Sequence, residues 1–224
     1  MASAVDICNL ALAHLGDTAT VSSINPPEGS AQAEHCARFY PIARDGLLEM
    51  HFWNFSVRRK ALAEVTCVWP EWDHAYSLPS DVNNIIAVLP SDAQDDYSSK
   101  YVPSDNQPYF YAPVVAAGLY TPQFYTVEST ATGGSILYTD QSDAVLRYTS
   151  FITDTTKFSP LFVTCLSWHL ASMLAGPVIK GDQGAAEAKR CQQMLQVYIS
   201  EAQASDANQR NVKPEHIVGW MSGR

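Results

Sequence analysis

Cations are scarce in this sequence, which has 14 Lys and Arg against 23 Asp and Glu and a formal net charge of -9. Proteins that wrap nucleic acid obtain most of their affinity from cationic contacts to phosphate. An acidic chain is therefore a poor candidate for a protein that wraps nucleic acid. It remains compatible with a surface along which DNA slides.

Signals for export and membrane insertion are also missing. The N-terminus, Met1 to Asp6, has no basic region followed by an apolar run, so we expect no signal peptide. No stretch reaches the roughly 18 consecutive apolar residues that a membrane-spanning helix needs. The sequence therefore predicts a soluble protein made in the cytoplasm, without a membrane partner.

Motifs for catalysis and metal binding are absent as well. No nucleophile-elbow motif is present, and the lone His14 and His169 are interpreted as a helix-end and a core histidine. The five cysteines are widely spaced, lack metal-ligand spacing and are interpreted as small buried hydrophobes in a reducing compartment. They are Cys8, Cys36, Cys67, Cys165 and Cys191. We predict no catalytic residue, no metal ligand and no cofactor.

A few arrangements keep an enzymatic alternative open. Each pairs a possible acid, base or metal ligand with a neighbour, as in the paired carboxylates of glycosidases. The pairs are His51 with Cys36 or Asp45, Asp95 with Asp96, Glu49 with Glu64, and His74 with Asp73. The corresponding function is a hydrolase acting on cell wall or nucleic acid.

Two helical patterns occupy the beginning of the chain. Ser3 is a good cap for the first, which Gly16 closes. Ser30 caps the second, which runs to about His51 with a kink expected at Pro41. We expect these two helices to form an antiparallel pair.

Two further helical patterns follow near the end. Ser159-Pro160 starts the third helix, and Gly176-Pro177 is expected to kink or end it. Asp182 is the expected cap of the last helix, which runs to about Ala207.

The middle of the chain changes to strand patterns. Val65, Cys67 and Trp69 alternate like a strand, and residues 84–89 form another that ends at Pro90. Three more strands, near residues 124–128, 135–139 and 144–149, are predicted to form a β-meander. A proline-rich excursion, residues 91–123, lies between the strand at 84–89 and the strand near 124–128. It contains five tyrosines, whose rings need to pack against a neighbouring surface.

These patterns predict an α+β fold that is mainly α, a four-helix bundle interrupted by a small antiparallel β-sheet insertion. Residues 1–62 hold the first helical pair, and residues 63–150 the β insertion with its excursion at 91–123. Residues 151–207 hold the second pair, and residues 208–224 a tail whose apolar end is predicted to dock.

The order of several short motifs resembles the head-to-tail adaptor proteins of tailed phages, of the tail tubular A or head-completion type. The motifs are Cys8-Asn9, Ala11-Leu12, Leu15-Gly16, Cys36, Tyr40, Arg44-Asp45, Leu47-Leu48, Trp53-Asn54-Phe55, Arg59 and Leu62. Further likeness occurs at Leu78 to Asp81, at Arg147 to Thr149 and in the helix after Phe158.

The resemblance implies a structural virion protein at the head–tail junction, not an enzyme. Such adaptors form a ring, by the resemblance twelve-fold, that joins the portal protein to the tail nozzle protein and continues the DNA channel. Double-stranded DNA passes through without specific binding.

Two sets of residues are assigned to its partners. The portal-binding set, in the C-terminal segment that the resemblance points to, consists of Pro214, Ile217, Val218, Trp220, Met221 and Arg224. The tail-facing set consists of the excursion's tyrosines, which suit a partner surface, Tyr97, Tyr101, Tyr109, Tyr111 and Tyr120.

Overall fold

The computed structural model describes residues 2–18, 20–91, 123–130 and 133–209. These residues contain four α-helices and seven β-strands. The chain divides into two compact units. The helical unit consists of residues 2–56 and 151–209, and the β unit, residues 57–150, is inserted between its halves. The predicted fold class, α+β and mainly α, is confirmed.

The first two helices begin where their serine caps stand. Helix α1 (Ala4–His14) opens with a capping box, in which Ser3 accepts from the Asp6 amide and Asp6 accepts from the Ser3 amide at 2.8 Å. Helix α2 (Ala31–Glu49) is capped by Ser30 and continues through Pro41. The sequence predicts that α2 ends at about His51, two residues beyond its observed end at Glu49.

The second two helices follow one another with a single-residue break. Helix α3 (Pro160–Ile179) is capped by Ser159 and continues past Pro177 to Ile179. Lys180 then adopts a φ of 60°, which ends α3, and helix α4 (Gly181–Ala207) begins at Gly181, whose φ is 64°. The prediction that Asp182 caps α4 is wrong, because the cap is Lys180, without a side-chain hydrogen bond.

Helix α3 is the centre of the helical unit. It is buried on several sides, as expected for a helix that is apolar all round. Helices α1, α2 and α4 all pack on it. Helices α1 and α2 also contact each other, since Cys8 is hydrogen-bonded to Cys36, but both bury more of their apolar faces on α3, a helix from the far end of the chain.

The length and composition of α3 would also suit a membrane span. It is the one such helix in the described ranges, and half of its most apolar stretch is buried inside the protein. The expectation that no stretch would reach this length and hydropathy is wrong. Core helices of soluble proteins pass the same test, so α3 is weak evidence for a membrane.

The β unit contains two antiparallel sheets where one was predicted. The three-stranded sheet has the order β1 (Val57–Ala61), β7 (Val145–Ser150), β4 (Val82–Leu89). The four-stranded sheet has the order β2 (Ala63–Val65), β3 (His74–Ser77), β6 (Ser135–Thr139), β5 (Tyr125–Ser129).

One apolar core joins the two sheets. Tyr76 and Leu137 are register partners in the four-stranded sheet, and Val88 and Leu146 are partners in the three-stranded sheet. All four side chains belong to the same buried cluster, together with Tyr148. The β unit is therefore held by its own core, separate from the core of the helical unit.

Two predicted boundaries in the β unit need correction. The β unit begins at Val57 and not at residue 63, because the basic run from Arg58 to Lys60 lies in β1. The predicted strand from Val65 to Trp69 is wrong beyond Val65, since residues 66–73 form a loop. In that loop Trp69 donates from Nε1 to Glu128 Oε2 of β5 at 3.2 Å.

Candidate functional site

A serine–histidine pair is the first arrangement with possible chemistry. His14 Nε2 lies 3.0 Å from Ser167 Oγ, but Ser167 is fully buried and donates its hydroxyl to the Thr164 carbonyl at 2.8 Å. The histidine must therefore donate to the serine and cannot accept its proton as a general base. This pair ties α1 to α3 and does not form a nucleophile.

Aromatic and cationic contacts around His14 add to this link between α1 and α3. His14 stacks on Trp168 with ring centroids 3.6 Å apart, and the Arg190 guanidinium lies 5.5 Å from the centre of the same indole. Arg190 also donates to the His14 carbonyl at 2.8 Å. Burial, and then the charge of Arg190, lower the pKa of His14, so the stacked ring is neutral at physiological pH.

A histidine–aspartate pair occurs at the end of α4. His51 Nε2 lies 3.4 Å from Asp206 Oδ2, and the Asn54 amide donates to both carboxylate oxygens of Asp206 at 3.2 and 3.1 Å. The hypothesis that paired His51 with Cys36 or Asp45 is wrong, because Asp206 is its acidic partner and Cys36 is fully buried. Asn54 also donates its side-chain amide to the Asp206 carbonyl at 2.6 Å, so this cluster anchors α4.

Two further histidines, His169 and His74, make structural contacts. His169 lies with Nδ1 3.1 Å from the Ala43 carbonyl and connects α3 to α2. His74 Nδ1 lies 2.7 Å from Glu64 Oε1, so Glu64 is paired within the β unit, while Glu49 belongs to the helical unit. Asp95 and Asp96 lie outside the described residues. Within the described ranges, no group of three or more His, Cys, Asp or Glu could hold a metal ion.

The cysteines are free, and four of the five are buried. The hydrogen bond with Cys36, followed by burial, raises the pKa of the Cys8 thiol, and burial raises the pKa of Cys165 to about 11. Thiols with raised pKa are poor nucleophiles, because the thiolate is the reactive form. Cys67 is partly exposed, and its Sγ lies 3.2 Å from the Trp72 carbonyl.

A pocket of about 670 Å³ opens in the β unit. Its walls come from the start of β4, from β5 and from the turn before β6, and they are apolar or neutral. They are formed by Leu78, Pro79, Ser80, Val82, Asn83, Asn84, Ile85, Tyr125, Val127, Gly133, Gly134 and Ser135. No carboxylate, histidine or cysteine stands among these residues, so the described walls supply no such partner to activate the hydroxyls of Ser80, Ser135 and Tyr125.

Charge is segregated within the β unit. The Lys and Arg of its described residues all lie in the three-stranded sheet, with Arg58, Arg59 and Lys60 consecutive and exposed on β1 and Arg147 on β7. Most exposed acids lie in the four-stranded sheet and its loops instead. They are Glu64, Glu71, Asp73, Glu128 and Asp140, while Asp143 is exposed in the turn before β7.

Apolar side chains are exposed at the edge formed by β5. Phe124 is 85% exposed, and Tyr125 and Val127 of β5 are 38% and 42% exposed. Trp69, which donates to Glu128 of the same strand, is 46% exposed. Among the described strands none pairs with the outer side of β5. An open edge with exposed apolar side chains is typical of an interaction surface.

Both sets of residues that the sequence assigned to partners lie outside the described residues. These are the portal-binding set, Pro214, Ile217, Val218, Trp220, Met221 and Arg224, and the tail-facing set, Tyr97, Tyr101, Tyr109, Tyr111 and Tyr120. Both assignments therefore stay predictions. Strand β5 was predicted from the sequence, but not its position at an exposed edge. Strand β1 was not predicted, although its consecutive cations were a visible signal.

Comparison with known proteins adds no family. No protein-family model matches the chain, and no curated protein matches its sequence. The likeness to phage adaptors therefore rests on the motifs alone.

Proposed function

We propose that this chain is a structural virion protein of a tailed phage. Copies of it form a ring, twelve-fold by the resemblance, that joins the capsid portal to the tail and continues the DNA channel. Its partners are the portal protein, the tail nozzle protein and further copies of itself. Double-stranded DNA passes through the ring without specific binding.

The observation that carries this proposal is the meeting of the motif residues in one core. They come from three separate stretches of sequence, and the structure buries them in the same cluster. The buried members are Cys8, Ala11, Leu12, Cys36, Tyr40, Leu47, Leu48 and Trp53. Motifs whose residues pack together behave as the signature of a fold, which supports the resemblance better than each short motif alone.

The polar motif residues have equally definite roles. Asn9 accepts from the Val21 amide at 2.7 Å and donates to the Val21 carbonyl at 2.9 Å, which fastens the loop between α1 and α2. Asn54 fastens the end of α4 through Asp206. Asparagine suits both places, because one side chain offers a donor and an acceptor to the backbone.

The chemistry of the described residues favours a structural role over the hydrolase. The serine–histidine and histidine–aspartate pairs are both used to hold helices together, and the pocket walls lack a carboxylate, a histidine and a cysteine. The protein then works by geometry: the portal-binding set in the tail engages the portal, and the tail-facing set in the excursion meets the nozzle.

Imaging the protein mixed with the portal of its phage tests the proposal. We expect a ring seated on the portal, whereas a monomer that never attaches would overturn it. Truncation after Gln209 removes the portal-binding set and keeps the contacts between Asp206 and Asn54. We expect the truncated protein to stay folded and to lose portal attachment. If it still saturates the portal, the tail assignment is wrong.

A further inference from the structure

The two ends of the four-stranded sheet differ in what they present to a neighbour. Strand β2 forms one edge and follows β1 through Leu62, whose amide donates to the Ala144 carbonyl at 3.0 Å. The basic run on β1 therefore lies on the β2 side. Strand β5 forms the opposite edge, separated from β2 by β3 and β6. Three strand spacings of about 4.8 Å put these two edges about 14 Å apart.

The β1 edge is mainly basic and the β5 edge is acidic, and the exposed acid on the β2 side, Glu64, already pairs with His74 at 2.7 Å. The β1 edge presents Arg58, Arg59 and Lys60, all exposed, and Arg58 already pairs with Asp81 at 2.8 Å. The β5 edge presents Glu128, with Asp140 directly after the neighbouring strand β6. Because opposite charges lie on opposite edges, a second copy of the same chain can supply the complement of each.

We propose that the β unit carries the head-to-tail contact between neighbouring copies, in which the basic β1 edge of one copy docks on the acidic, aromatic β5 edge of the next. The inference rests on the proposed ring and names the surface that would close it. Two different patches in contact make a heterologous interface, and such an interface generates a ring when its rotation closes. Two identical β5 edges would instead bring Glu128 against its own copy.

In this contact, burial of the exposed apolar side chains drives association, and the charged side chains fix the relative position of the two copies. Phe124, Tyr125 and Val127 remain exposed at the β5 edge, beside the indole of Trp69. Aromatic residues are enriched in the cores of protein interfaces, and complementary charge at the rim orients the partners. The backbone groups on the open side of β5 can also pair with an incoming edge strand.

A charge-exchange experiment tests this contact. Lys60→Glu places an acid on the basic edge, and Glu128→Lys places a cation on the acidic edge. Each variant alone meets like charge at every interface, and we expect about tenfold weaker association per contact. In an equimolar mixture, every contact between alternating copies regains opposite charges, so we expect assembly to recover. An even-numbered ring permits this alternation.

Controls separate assembly from folding. Both positions are exposed, so the thermal midpoints should match that of the unmodified chain. Glu128→Gln keeps an acceptor for the Trp69 indole and removes only the charge, so it should weaken assembly less than Glu128→Lys. Phe124→Ser should also weaken assembly without lowering the thermal midpoint, since this ring is 85% exposed.

Assembly is measured by particle mass, in concentrated solution and on purified portal. Recovery in the mixture, after loss in each single variant, supports the interface. Single variants that assemble like the unmodified chain overturn it and leave the proposed function standing, as does a mixture that fails to recover. If the unmodified chain assembles in neither condition, the ring itself fails and this interface fails with it.

Discussion

At the residue scale, one glycine sets how closely α3 and α4 approach. A Cβ on Gly184 would lie 2.9 Å from the Ala175 carbonyl oxygen and 3.5 Å from the Gly176 Cα. Both obstacles are backbone atoms, so no side chain can rotate away to make room. Gly176, by contrast, has nothing within 4 Å of its own added Cβ.

These two glycines make a matched pair of variants. Alanine favours helix over glycine by about 1 kcal/mol, so Gly176→Ala should stabilise the protein slightly. At Gly184 the clash should outweigh that gain, and Gly184→Ala should lower the unfolding free energy by about 1–2 kcal/mol. Denaturant titration measures both. Equal effects at the two sites would contradict the close approach.

Among the residues that the structure describes, Trp53 is the largest side chain that is wholly buried. It meets Phe162 edge to face with centroids 5.1 Å apart and donates from Nε1 to the Leu47 carbonyl at 2.9 Å. We expect Trp53→Ala to lower the unfolding free energy by about 3–5 kcal/mol. The neighbouring Phe52 is 49% exposed, so Phe52→Ala should change it far less. A near-neutral Trp53→Ala midpoint would be inconsistent with this packing.

At the element scale, two histidines act as ties between helices. His14 joins α1 to α3, and His169 joins α3 to α2. Burial, followed by Arg190, lowers the pKa of His14 below 6.5. Burial also lowers the pKa of His169, although its hydrogen bond with Ala43 acts in the opposite direction. The folded protein therefore binds protons at these rings less readily than the unfolded chain.

This difference predicts how stability depends on pH. Because the unfolded histidines take up protons first, stability is greatest above about pH 6.5 and falls as the pH drops below that value. We expect the thermal midpoint to decrease between about pH 7.5 and 5.5. His169→Gln removes one titrating ring while keeping an amide donor, so it should reduce the decrease. A midpoint that is flat or rises over this range would contradict the prediction.

Three carboxylates whose pKa is lowered in the folded protein do not contribute to the change in stability over this pH range. Hydrogen bonds from Ser3 lower the pKa of Asp6, hydrogen bonds from Ser22 lower that of Glu28, and hydrogen bonds from Thr156 lower that of Asp154. These groups stay ionised until the solution is much more acidic, and their stabilisation is lost only there.

Local signals predicted the starts of three helices. Ser3, Ser30 and Ser159 each accept a backbone amide of the first turn, as their sequence context indicated. A cap depends on residues three positions apart, so it can be read from a short stretch. The Asp182 prediction failed because the positive φ at Lys180 and Gly181, absent from the usual cap pattern, decides where α4 starts.

Long-range partners could not be read in the same way. Strand β1 was missed because its side chains are mostly exposed on both faces, which hides the alternation of a half-buried strand. Trp69 was assigned to a strand because the alternation of Val65, Cys67 and Trp69 does not distinguish a strand from a loop that lies beside one. Asp206 is 155 positions from His51, and no local pattern connects them.

At the scale of the whole molecule, net charge bears on the passage of DNA. With a net charge of -9, we expect no tight binding of duplex DNA by the isolated protein, because affinity for DNA comes mainly from cationic contacts to phosphate. Any residual binding should come from β1, and Lys60→Gln should reduce its salt slope by about one. A gel-shift series over increasing salt measures both. Tight, steeply salt-dependent binding would contradict a sliding surface.

The insertion of the β unit allows a test of its independence. Its first strand pairs Val57 with Thr149, so the chain enters and leaves the β unit at neighbouring positions. Antiparallel partners are about 5 Å apart, and a linker of two or three glycines should therefore join Ser56 to Phe151. We expect the joined protein to keep the helical circular dichroism signal and a cooperative transition. A molten, non-cooperative product would show that the helical core needs the insertion.

Because the β unit is inserted between the two halves of the helical unit, these halves are synthesised at different times. Helices α1 and α2 leave the ribosome first, yet the helix on which they pack is completed 130 residues after α2 ends, at Ile179 against Glu49. At about 5–20 residues per second, their apolar faces wait on the order of ten seconds while the whole β unit is translated. The inserted unit has its own core and can fold during that interval. Helices α1 and α2, which are synthesised first, are therefore among the last elements to reach their native packing.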